Sequence, residues 1–205
     1  IYTWSALITT TLAALSLGYA LGGRLADRRP YPALLYFLCL SAGLWTVITP
    51  WLAGFILPQF VAASDMRVGI MLASIILFFP NLFFLGAIGP FAIRLLAGVY
   101  SVAGSNSGLI FSVSTVGSLL AAIVSGFFLL PNYGVLTIFS LCGFILVVLA
   151  VLGHVHIGRI KFAVITCLSS IVIFFAITTY MPVISKTMQL LDSQPSFYGQ
   201  VQGMQ

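Results

Sequence analysis

Apolar residues in this chain run together in long blocks separated by short polar interruptions. The blocks cover about 2–23, 33–57, 68–93, 108–130, 135–153 and 162–183. None alternates polar and apolar positions, and each is about twice the length a membrane barrel strand needs, so strands are excluded. A helix crosses the hydrocarbon core with about 20 mostly apolar residues, which each block supplies. The pattern therefore predicts an all-α chain: a polytopic membrane helix bundle of about six transmembrane helices over residues 1–185. A polar tail follows at 186–205, "KTMQLLDSQPSFYGQVQGMQ", which cannot span.

Composition strengthens this reading. Hydrophobic residues make up 61% of the chain and charged residues 5%, with a mean hydropathy of +1.18, far from soluble globular norms. The few charges are placed unevenly. Arg24, Arg28, Arg29, Arg94, Arg159 and Lys161 fall in loops one, three and five, whereas Arg67 and Lys186 fall on the other side. Cation-rich short loops stay in the cytoplasm, so loops one, three and five are expected there, in a bacterial inner (cytoplasmic) membrane. The net charge of +5 then reads as a topology signal and as affinity for anionic headgroups. No basic face interleaved with aromatics supports nucleic-acid binding. The expected partners are membrane lipids and other membrane subunits or further copies of the chain. Ile1 opens the chain without a methionine or a basic leader, which is consistent with a preceding segment.

Candidate chemistry is sparse. Asp27, Asp65 and Asp192 all fall in loops or the tail, so no carboxylate is expected at membrane depth to relay protons or sodium. Cys39, Cys142 and Cys167 share no ligand spacing and read as buried packing residues. His154 and His156, two apart in "HVHIGRIK", point to different sides of a helix and suit a headgroup interface with Arg94, Arg159 and Lys161 better than a metal. No catalytic, cofactor or metal site is expected. What the helices offer instead is close packing. Ser114, Ser118, Ala122 and Gly126 recur every four residues, a small-residue ridge that predicts a central fourth helix, and Gly18 with Gly22 and Gly104 with Gly108 repeat the spacing. Pro80 interrupts the third run and frees a carbonyl for which Asn81 is the natural partner, marking a kink or the floor of a cavity.

"GGRLADRRP" (22–30) resembles the cytoplasmic loop signature of major facilitator transporters, with Gly23, Leu25, Ala26, Asp27 and Arg28 in the matching places and Arg24 and Arg29 adding charge. That resemblance implies half of a major facilitator fold, in which the loop's Asp braces a neighbouring helix end and pairs with arginines in one conformational state. A broader resemblance adds to it. "SLGYALGGRLADRRP", "FLGAIGPFAIRLLA" and "VAGSNSGLIFSVSTVGSLLAAIVSGFFLLPNYG" are similar, in order and spacing, to the membrane region of the transmembrane spermidine synthase-like family, in which a transporter-like bundle is fused to an aminopropyltransferase. The tail's "DSQPSFYGQVQ" resembles the lead-in to that enzyme domain. These 205 residues carry neither the family's glycine-rich adenosyl-donor loop nor its paired polyamine-binding aspartates, so catalysis by this chain is not expected.

Three functions compete on this basis. The preferred one is a non-catalytic membrane subunit or scaffold that acts through helix packing with partner proteins or lipids. The second is a half-transporter that works as an oligomer around a midplane site. The third is the membrane anchor of a polyamine aminopropyltransferase.

Overall fold

The computed structural model describes residues 2–63, 66–97 and 103–158. All the regular structure among them is helical: α1 (Tyr2–Arg28), α2 (Pro32–Ala63), α3 (Met66–Ala97), α4 (Ala103–Val124), a π-helical turn (Ser125–Leu129) and α5 (Leu130–His156). Four stretches are long and apolar enough to cross a membrane: Tyr2–Arg28, Pro32–Phe60, Arg67–Leu96 and the 50-residue run Ser107–His156. Lipid offers no partner for backbone polar groups, so such apolar stretches must satisfy them internally, which helices do. The apolar run at 162–183, the tail, Cys167, Arg159 and Lys161 lie outside the described residues.

The first helix extends further than its apolar block. It continues through Arg24 and Asp27 to Arg28, and Pro30, which cannot continue a helix, follows directly. The Arg29 N–H donates to the Leu25 carbonyl at 2.9 Å and the Tyr31 N–H to the Arg29 carbonyl at 2.7 Å, closing a tight turn into Pro32, the first residue of α2. Proline suits that position because its missing N–H would be unpaired there anyway. Asp27 is thus a helical residue near the end of α1.

A run of 50 residues would reach about 75 Å if straight, more than twice the hydrocarbon core of about 30 Å. The break comes where the sequence reads "LLPNYG". Pro131 cannot donate to the carbonyl four residues back, and the backbone widens before it: the Leu130 N–H donates to the Ser125 carbonyl, five residues back. The Asn132 side-chain amide donates to the Phe128 carbonyl at 2.7 Å. Gly134 then leaves helical geometry altogether, at φ 69° and ψ 165°, a conformation open to glycine because it has no Cβ.

Helices pack in the order α1, α3, α2, α5, with α1 against α3 rather than against its chain neighbour α2. The α1–α3 pair runs in one direction. Arg67 Cζ stands 4.5 Å from the Tyr2 ring centroid at one end, and Asp27 meets Arg94 at the other. Thr10, Ala14, Gly18, Gly22 and Ala26 form the buried stripe of α1. A Cβ on Gly18 would lie 2.5 Å from the Phe83 carbonyl oxygen, and one on Gly22 would lie 2.6 Å from Ala87 Cα. Only a residue without a side chain lets the backbones approach this closely. The α2–α5 pair is antiparallel and built the same way. Gly43 opposes Gly143, where a Cβ would stand 2.9 Å from the Gly43 carbonyl oxygen, and Gly153 abuts the Tyr36 ring. Ala26, Leu38, Ala87 and the wholly buried Phe91 join α1, α2 and α3 in a core near the charged turn.

Candidate functional site

Three places in this frame carry polar or unpartnered groups. The first is the end of the bundle where α1 and α3 finish. Arg94 Nε stands 3.2 Å from Asp27 Oδ1, with the side chains 48% and 73% exposed, tying the last turn of α1 to the last turn of α3. Gly23 is half-buried beside Pro90, while Arg24, Arg28 and Arg29 are exposed. The α5 terminus arrives at the same end, since Tyr36 in the second turn of α2 packs on His154 with ring centroids 5.9 Å apart. So Arg24, Arg28, Arg29, Arg94, His154 and His156 share one end of the bundle.

The two histidines part company there. His156 is exposed, but His154, expected among headgroup contacts, turns inward and is 4% exposed, with Nδ1 2.9 Å from the Ala150 carbonyl oxygen. The cause is Gly153. Its missing side chain lets Tyr36 of α2 sit against α5 and cover the neighbouring imidazole. Cys142 is likewise corrected: it is exposed, while Cys39 is half-buried, because the α5 face against α2 is Gly143, Val147, Ala150 and Gly153.

The second place lies between α2 and α3 at Pro80. The Trp45 indole donates to the Leu77 carbonyl at 3.1 Å, inside the turn that Pro80 disturbs. Thr46 Oγ1 lies 3.1 Å from Asn81 Oδ1 and 2.8 Å from the Ala42 carbonyl oxygen. Thr49 and Ser74 bond carbonyls of their own helices at 2.7 and 2.8 Å. Pro80 lacks the N–H for the Ile76 carbonyl; Trp45 from the neighbouring helix bonds the next carbonyl, Leu77, and the side chain of Asn81, which the sequence points to as the partner of the freed carbonyl, meets Thr46. Among the described residues no buried side-chain N or O is left without a partner. Ser112, Ser114 and Thr115 do not join this cluster; they lie exposed on α4, where Thr115 bonds the Phe111 carbonyl at 2.7 Å.

The third place is α4 itself. Among the described residues it touches only α3 and the π-helical turn. Among the described residues its ridge of Ser114, Ser118, Ala122 and, in the following turn, Gly126 packs against nothing. A Cβ on Gly104, Gly108, Gly117 or Gly126 would meet no atom within 4 Å. The apolar side chains between are just as bare, up to 76% exposure at Phe127. Among the described residues the fourth helix does not take the central place expected of it: α4 lies at the edge, and the seams between α1 and α3 and between α2 and α5 are closed by the glycines of α1, α2 and α5. No cluster of three or more metal-ligating side chains occurs among the described residues.

Comparison of the chain with protein-family models, with curated proteins and with solved structures found no match.

Proposed function

We propose that the chain is a non-catalytic membrane scaffold whose α4 receives an uncharged transmembrane helix of a partner protein. The observation that carries this reading is the ridge of Ser114, Ser118, Ala122 and Gly126, which meets no neighbour among the described residues. Two ridges of the same kind in this molecule are each filled by a neighbouring backbone. In lipid, helix association rests on van der Waals packing and close backbone approach rather than on apolar burial, so a small-residue ridge is where a partner gains most. No charged residue occurs in α4, and a charged partner would have to bury its charge against hydrocarbon. The half-transporter reading draws on the polar cluster at Pro80. That cluster counts less, because Trp45, Thr46, Thr49 and Ser74 already spend their donors inside the chain.

The test is native mass spectrometry of the full chain released from its own membrane in mild detergent, beside the Ser118→Leu and Ala122→Leu variants. The expected result is a hetero-complex whose partner contributes a transmembrane helix and is lost in both variants. A mass of one chain alone, or of copies of this chain alone, overturns the proposal. So does saturable solute uptake by the purified chain in sealed vesicles.

A further inference from the structure

Near the charged turn, α1 carries two different faces. Leu17, Leu21, Arg24 and Arg28 follow at spacings of four, three and four, which gathers them within an arc of roughly 60° at about 100° per residue. Both leucines are exposed, 47% and 45%, as are both arginines. Gly22 and Ala26, buried against α3 in the same turns, lie on the opposite side. The outward stripe is therefore apolar toward midspan and cationic at its end. Asp27 holds Arg94 at 3.2 Å, which brings a third guanidinium to the same end, and Arg29 is a fourth. Among the described residues four guanidiniums share that end of the bundle with one carboxylate.

We infer that this stripe binds an anionic phospholipid, the phosphate between Arg24 and Arg28 and an acyl chain along Leu21 and Leu17. Guanidinium groups bind phosphate oxygens through paired N–H donors. The surplus positive charge disfavours the ammonium of a zwitterionic headgroup. The leucines continuing the same stripe select a lipid over free phosphate, because only a lipid uses both halves. This inference concerns α1 and is independent of what α4 receives.

The full chain is reconstituted in bilayers of equal parts phosphatidylglycerol and phosphatidylcholine, released, and the retained lipid identified by native mass spectrometry. The expected result is enrichment in phosphatidylglycerol. Each surface cation near a headgroup is worth about 1 kcal/mol, roughly fivefold in occupancy, so Arg24→Gln with Arg28→Gln should lose that enrichment while the thermal unfolding temperature is retained. Asp27→Asn, which removes the one carboxylate at this end among the described residues, at an exposed site, should raise it, and this arm decides the matter if the double variant does not fold. Equal retention of both lipids by the unaltered chain, or enrichment indifferent to both substitutions, overturns the inference. Complete displacement of the lipid by an equal concentration of inorganic phosphate overturns it as well.

Discussion

α1 and α4 are written with nearly the same rule and end in opposite situations. Thr10, Ala14, Gly18, Gly22 and Ala26 repeat every four residues on α1, and Ser114, Ser118, Ala122 and Gly126 repeat every four along α4 and its π-helical turn. The first stripe is buried against Phe83, Gly86 and Ala87 of α3, and the second meets nothing among the described residues. A small-residue stripe is a capacity for close approach. It becomes an interface only when a neighbour brings its own small residues opposite, as Gly86 and Ala87 do for α1. Hydroxyls sharpen the contrast. Ser118 turns its Oγ back to the Thr115 carbonyl at 2.9 Å, so this hydroxyl of the α4 ridge is satisfied within its own helix.

The contrast can be broken most sharply with one pair of substitutions. Gly22→Leu places a side chain where Cβ alone would be 2.6 Å from Ala87 Cα, and should destabilise the chain by about 3 kcal/mol, the upper end for overpacking. Gly126→Leu, with nothing within 4 Å, should leave the chain's own stability within about 0.5 kcal/mol. Unfolding by SDS in mixed micelles measures both. Equal losses would mean that the α4 ridge is packed as tightly as that of α1.

Next in size is the polar cluster that links the α1–α3 pair to the α2–α5 pair. Trp45→Phe keeps an aromatic ring, though a smaller one, and leaves the Leu77 carbonyl without its indole donor, and the loss of that bond should be about 1 kcal/mol, within the range for interhelical hydrogen bonds in membranes. Thr46→Val removes the link to Asn81 and should cost about 0.6 kcal/mol. The same titration distinguishes them, and a Thr46→Val loss exceeding that of Trp45→Phe would shift the main role at Pro80 to Asn81.

The smallest effect is expected at the exposed pair. Arg94→Gln removes an ion pair with both partners well exposed, and such pairs contribute about 0–1 kcal/mol and weaken with salt. Comparing unfolding at low and high ionic strength isolates that share. A loss as large as that of Gly22→Leu would make the pair, rather than the glycines, the lock between α1 and α3.

Much of the fold was legible in one dimension, but unevenly. Gly18 and Gly22 stand out by spacing, yet Thr10, Ala14 and Ala26 extend their stripe with residues too ordinary to notice. Pro80 announces a disturbed turn, but the donor that reaches into that turn from α2, Trp45, sits 32 residues from Leu77, and no local pattern links the two. Asp27 and Arg94 stand out as rare charges, while their pairing depends on α1 and α3 lying side by side in one direction, skipping α2. His154 could have been moved inward by one signal, the glycine beside it, which marks the α5 face that a neighbouring helix approaches.

By itself the sequence determined that the described residues are helical, where apolar stretches long enough to cross a membrane fall, and where prolines and glycines interrupt them. It could do so because hydrocarbon forces each backbone segment to satisfy its own hydrogen bonds, a requirement met locally. Only the tertiary structure decided which small-residue stripes are filled, which carbonyl Trp45 serves, and that one histidine of two is enclosed. Lipid covers every apolar face about equally well, so hydropathy holds no record of which face meets a neighbour; that choice rests on the fit of surfaces distant in the chain.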